Sequence, residues 1–444
     1  MKKFTILVMV TALMGVLFPV NAVSRSREKN RTEVLMSGRG YYKDLFMDGG
    51  IYLTSRRTLP ATDFLGLSLE FFASNKNKEL TQQDTLIQTN IFCGSKEDTN
   101  GWLLYPDGAP RYRMIYVNGG RAASHGRSMT PEGKAQMRRY VAAGGGYVGT
   151  CAGAYLASSG TLRRNGKVGN ADVYYGVSPH YVYGTSLNRS RTDMSVERKS
   201  PLLRYFDFGG DKVIAAVRHN GGCYAKDEDF GALHGAIEPL TRYIFTDTKK
   251  VKIDGKISAW AYKKDKQTGR VISCGSHPES VKEGERLEFM SAMMLYAMDG
   301  NPAPKIKGVL EANEVREMNR RTEDKNPDFT RIGDKQYHHF KLQIPKRCQR
   351  AVVSLEGYEG EDNFDLLLCA KRGELAFSDN TTQKSSDKGC NKNLIIVKPK
   401  AGRWYVSVLC NTTVIATTGK FGTEYSGRTD VLNGVPYKIS VKYE

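Results

Sequence analysis

Hydrophobic and polar positions along the chain follow three successive rhythms. Residues 1–22 open with Lys2 and Lys3, continue as an apolar run from Phe4 to about Phe18, and end on Val20-Asn21-Ala22. A positive start, a short apolar stretch and a small-residue cleavage site predict a signal peptide, hence a secreted or periplasmic protein. Residues 23–43 are polar and basic and read as a flexible lead-in. From 44 to 300, short β-rich runs alternate with helical patterns, which predicts an α/β domain. After the Asn301-Pro302-Ala303-Pro304 break, a charged stretch to 328 reads as a linker. Beyond it, 329–444 holds only alternating strand patterns separated by Gly and Asn turns, the pattern of an all-β sandwich.

Within the α/β region, Tyr112 to Val117 is a strand run that ends in Asn118-Gly119-Gly120. Thr130-Pro131-Glu132 combines a hydroxyl N-cap, a first-position proline and a first-turn acid, so a helix begins there and stops near Gly144. Tyr147 and Val148 form a short buried strand, and residues 152–158 the next helix. Residues 213–217, 258–262 and 269–274 are further strands. A last helix, 283–298, places Leu287, Met290, Met294 and Ala297 on one stripe, read as core packing.

Composition narrows the class. The chain is 444 residues long and 40% hydrophobic, enough for two or three packed domains at about 100–200 residues each. No segment after the leader approaches the roughly 18 apolar residues of a membrane-spanning helix. The formal charge of +19 favours acidic partners. The basic residues are dispersed and carry no nucleic-acid-binding motif, so no nucleic-acid partner is expected. The eight cysteines include no C-x-x-C pair, which gives no support to a zinc site. Cys348, Cys369, Cys390 and Cys410 read as two disulfides in an oxidising compartment.

The chemistry concentrates at Cys151. Gly149 and Gly153 flank it as G-x-C-x-G between a strand and a helix, the arrangement of a sharp nucleophile turn. The helix start beside the sulfur favours a thiolate, and the Ala152 amide is placed for an oxyanion. Ser276-His277-Pro278-Glu279 follows the strand 269–274 and supplies a base and the carboxylate that orients it. Gly119 and Gly120 offer unhindered amides after the first strand that would complete an oxyanion hole.

These motifs, in this order, resemble the class I glutamine amidotransferase superfamily, and within it the domain named for the N-terminus of biotin–protein ligase. The Gly-Thr-Cys-Ala-Gly-Ala turn is also similar to the cyanophycinase group of serine peptidases, with cysteine in place of serine. The resemblance covers residues 44–300. It implies a flavodoxin-like parallel sheet flanked by helices, a Cys151–His277–Glu279 triad, and oxyanion donors at Gly120 and Ala152. The segment around Phe364 and Trp404 resembles the pre-peptidase C-terminal type of accessory domain. No synthase domain follows, so an ammonia-channelling role does not carry over.

The expected activity is amide hydrolysis through a thioester, on a small amide or a peptide, with no metal and no cofactor. The alternative is an inactive scaffold that binds an anionic envelope glycan or peptide. Gly119, Asn220 and Gly221 are candidate substrate contacts, with His219 beside them. Arg121 and His125 stand as candidates for the mouth of the site. His180 and His234 read as surface residues, and His338 and His339 carry no ligand spacing. Cys274 reads as an inert buried thiol, with a silencing bond to Cys151 as the other option. Cys93 and Cys223 are left open.

Overall fold

The computed structural model describes residues 24–48, 59–72, 102–227, 237–247, 251–321, 326–360, 363–385, 387–419 and 423–444. The leader, His234 and Cys93 lie outside the described residues. Nine strands form one mixed sheet: β1 (Lys43–Asp48), β2 (Leu69–Phe72), β3 (Tyr112–Val117), β4 (Gly146–Thr150), β5 (Ser190–Val196), β6 (Val213–His219), β7 (Glu238–Ile244), β8 (Ile257–Tyr262) and β9 (Val271–Cys274). Their order is β2-β1-β3-β4-β9-β8-β7-β5-β6. The first five are mutually parallel and the last four continue the sheet antiparallel. The expectation of a parallel sheet is therefore corrected to a mixed one. The connection 263–270 between β8 and β9 is too short for the dozen or so residues of a parallel crossover, so these strands pair antiparallel.

β3 explains why the parallel half is central. All six of its residues are buried. Met114 and Tyr116 enter one core, while Ile115 and Val117 enter the other. A strand covered on both faces reads as a continuous apolar run rather than an alternation. Among the described residues, the domain also holds six α-helices: α1 (24–36), α2 (Pro60–Leu65), α3 (Ala122–Ser128), α4 (Pro131–Ala142), α5 (Ala152–Ala157) and α6 (Gly284–Met298). Thr130 caps α4 as its sequence requires, accepting from the Gly133 N–H at 3.1 Å.

Two expectations change here. Residues 24–36 form a helix rather than a flexible lead-in. Arg27 pairs with Asp207 at 2.8 Å, Arg31 donates to the Tyr205 carbonyl, and the Val34 carbonyl accepts from Arg113. α6 is buried nearly all round rather than along one stripe. Leu202, Tyr205, Phe206 and Phe208 join its core and cover the side that a single stripe would leave to water.

The C-terminal region packs a five-stranded sheet on a four-stranded one. Ile306–Val309 and Val315–Met318 are edge strands of these two sheets, so most of the expected linker belongs to the sandwich. The expected disulfides are absent: Cys348, Cys369 and Cys410 are buried free thiols, and the Cys390 thiol donates to the Phe364 carbonyl. The two regions meet through buried polar groups. Arg111 and Asp334, at 2% and 1% side-chain exposure, pair at 3.0 Å. Glu70 accepts from the hydroxyls of Tyr42, Tyr112 and Tyr425. Among the described residues, no helix is long and apolar enough to cross a membrane.

Candidate functional site

β3, β4 and β9 lie side by side and parallel, so their C-terminal ends open on one edge of the sheet. β3 delivers Asn118-Gly119-Gly120, β4 delivers Cys151, and β9 delivers His277 and Glu279. Three segments distant in sequence meet there because parallel strands all end on the same side.

Cys151 occupies the turn between β4 and α5 with φ 47° and ψ −103°. A non-glycine residue there carries strain of about 1–3 kcal/mol, held by its surroundings. The Cys151 N–H donates to the Cys274 carbonyl at 2.8 Å, which anchors the turn to β9. The flanking glycines are steric necessities. A β-carbon on Gly153 would lie 2.1 Å from the Val117 carbonyl oxygen, and one on Gly149 would lie 2.4 Å from the Gly153 backbone. Only without side chains can α5 start this close to β3 and β4.

His277 Nδ1 lies 2.8 Å from Glu279 Oε1, and both side chains are mostly buried. Burial alone would lower the pKa of the ring. Hydrogen bonding to Cys151 and to Glu279, together with the carboxylate charge, outweighs burial and holds it at about 10. The Cys151 thiol also faces the Asn220 carbonyl, with Sγ 3.7 Å away. Gly119 lies over both groups: a β-carbon there would come 2.2 Å from His277 Cε1 and 3.2 Å from the Cys151 β-carbon.

A pH prediction follows from the raised histidine. Its charged form adds stability in full below the unfolded value of 6.5, and that increment is lost as pH rises through about 10. Relative to His277→Gln, the wild type should lose urea resistance between pH 7 and 10. Parallel pH profiles for the two proteins would contradict the charged ring.

The remaining candidates separate clearly. Ala152 is buried as the first residue of α5, and Gly120 is exposed just beyond Gly119. Asn220 is exposed, and its Oδ1 accepts from the Arg189 N–H at 3.0 Å. Tyr155 of α5 donates to the carbonyls of Gly221 and Gly222, which holds this loop beside the turn. His219 is fully buried between Thr185 and Ser276, both at 2.7 Å, and burial followed by the His277 charge lowers it to about 4. It is a neutral structural ring. His125 is buried against Tyr175 rather than at the mouth, and Arg121 is exposed at the start of α3. His180 is also buried, with Nδ1 2.9 Å from the Ser178 hydroxyl. His338 and His339 are buried, bonded to Tyr437 and Ser407. Cys223 and Cys274 are free thiols, and burial pushes Cys274 up to about 12. Among the described residues, no three of His, Cys, Asp and Glu gather as metal ligands.

Four arginines border the site without any local sequence motif. Arg189, Arg191, Arg218 and Arg286 line an open cleft of about 700 Å³ that His277 and Asn220 also border. Their only signal was a general excess of basic residues.

Residues 109–322 match the sequence model of the family described as biotin-protein ligase, N terminal. That match begins later and ends later than the 44–300 span on which the motifs were placed. No curated protein matches the chain significantly. Among solved structures, a glutamine amidotransferase is 15% identical, with 56% of this chain and 98% of that one covered at a TM-score of 0.31. The pre-peptidase C-terminal domain of a collagenase from Bacillus anthracis is 11% identical, with 30% and 90% covered at 0.16. Aeromonas hydrophila PliG, a periplasmic inhibitor of g-type lysozyme, is 14% identical, with 32% and 100% covered at 0.20. Scores this low carry no argument about the chain.

Proposed function

We propose that this chain, which carries a domain of the biotin–protein ligase N-terminal family over residues 109–322, is an exported cysteine hydrolase that cleaves an amide bond through a thioester. The observation that carries the reading is that the Cys151 β-carbon and the His277 ring both lie against Gly119, with His277 Nδ1 held 2.8 Å from Glu279. The order of the parallel strands, β2-β1-β3-β4-β9, supports a flavodoxin-like core of the amidotransferase type.

In this reading the Cys151 proton already rests on His277, charged at neutral pH, and Sγ attacks the amide carbonyl carbon as the thiolate. Glu279 keeps the ring oriented and offsets its charge. The amides of Gly120 and Ala152 hold the oxyanion of the tetrahedral intermediate. Collapse breaks the C–N bond, and His277 protonates the departing amine. Water then attacks the thioester with His277 taking its proton, and the acid leaves as Sγ is restored. The substrate is an amide-bearing small molecule or peptide, and the sandwich acts as an accessory domain. The leader supports an extracytoplasmic location.

The test is a panel of peptides and small amides offered to the purified protein, with product formation and the intact mass of the enzyme followed together. The reading expects an acyl adduct on Cys151 during turnover, and loss of both adduct and product in Cys151→Ala. Equal turnover by Cys151→Ala would remove the assignment.

A further inference from the structure

The arginine cleft is distinctive in its chemistry and its placement. Among the described residues, no aspartate or glutamate lines it. Among the described residues, none of its four arginines has a carboxylate within 4.0 Å. Elsewhere the protein provides such partners: Arg111 has Asp334, Arg113 has Asp44, and Arg242 has Glu197 and Asp227. Arg191 and Arg218 are direct partners across the β5–β6 pair. Like charges placed opposite each other destabilise a sheet, so folding gives no reason for the pair.

The backbone ties these arginines to the nucleophile. The Arg218 carbonyl accepts from the His277 N–H at 2.8 Å. The Arg189 N–H donates to the side chain of Asn220, the residue whose carbonyl faces the Cys151 thiol at 3.7 Å. Arg189 itself is held in the left-handed region, φ 47°. Guanidinium groups bind carboxylates bidentately, and a concave site lined by one sign of charge concentrates the opposite ion.

We propose that the substrate is an acidic amide, carrying at least two carboxylates that Arg189, Arg191, Arg218 and Arg286 engage while the scissile carbonyl reaches Cys151. This assignment rests on the reading of Cys151 as the nucleophile.

The test compares alkylation of Cys151 by iodoacetate, an anion, with alkylation by iodoacetamide, its neutral analogue, read by peptide mass spectrometry on the full-length protein. Both reagents meet the same sulfur in the same protonation state, so their rate ratio reports the field of the cleft. The ratio should exceed that of free cysteine by about tenfold at low salt. It should fall toward the free value in Arg191→Gln/Arg218→Gln, and in wild type at about 0.5 M NaCl. A ratio no higher than that of free cysteine overturns the proposal. If Cys151 resists both reagents, the nucleophile reading fails instead, and the cleft is then judged by binding. A fluorescent tetraglutamate amide should bind Cys151→Ala about tenfold tighter than its tetraglutamine counterpart, and the difference should vanish when the two arginines are also replaced. Equal affinities overturn the proposal, as does a phosphoserine peptide that binds about tenfold tighter than the glutamate one.

Discussion

Replacing Gly119 with alanine should slow acylation of Cys151 by about a hundredfold while leaving the protein folded. Gly119 is not among the residues with positive φ, so its backbone accepts alanine without torsional strain. The obstacle is space. The added methyl would come 2.2 Å from His277 Cε1 and 2.8 Å from Nδ1, well inside contact distance. The ring must turn away, and turning breaks its contact with Glu279, with Cys151, or with both. A displacement of about 1 Å in a base is enough for a loss of this size. Turnover of a responsive amide, or acylation of Cys151 read by mass, checks the rate, and thermal melting checks the fold. An alanine variant as fast as wild type would mean that the ring does not stand where the site needs it.

Arg111→Ala should destabilise the protein by about 3–5 kcal/mol, because it leaves the buried Asp334 carboxylate without its cation. The guanidinium also donates to the Trp102 carbonyl at 3.1 Å and lies 4.2 Å from the centre of the Tyr42 ring. Burial already raises the Asp334 pKa against the pull of Arg111, so removing the cation moves it further in the same direction. Urea denaturation measures the effect, with Arg111→Met/Asp334→Leu as the companion. The double variant removes both charges and should recover most of the loss. A single variant within 1 kcal/mol of wild type would show that this pair does not hold the two regions together.

How much of this was legible in the sequence depended on whether the signal was local. The Cys151 turn was readable because two glycines at fixed spacing are a steric requirement, now visible as the near contact of Gly153 with Val117. His277 and Glu279 were readable because one short segment after a strand supplies both. The antiparallel half of the sheet was harder. β5 buries Thr192, Met194 and Val196 but alternates them with polar residues, so no apolar run marks it. β7 contains Pro239, which argues against a central strand. The sheet accommodates it at a register shift against β8. The arginine cleft was not readable at all. Its residues come from β5 and its preceding loop, from β6 and from α6, and only the folded pairing brings them together. The buried histidines misled in the opposite sense: His180 read as a surface residue and His125 as one at the mouth, yet each packs against an aromatic ring.

The central claim is that His277 activates Cys151, and labelling with iodoacetamide tests it most directly. Cys151 is only 3% exposed, and Cys223 and Cys274 are buried close by. Mass spectrometry across pH 5 to 9 would give the rate at each cysteine in wild type and in His277→Ala. The account predicts that Cys151 labels fastest in the wild type at neutral pH, and that His277→Ala slows it by at least about tenfold. If Cys151 labels no faster than the other buried thiols, or if His277→Ala leaves its rate unchanged, the two residues do not form a catalytic pair.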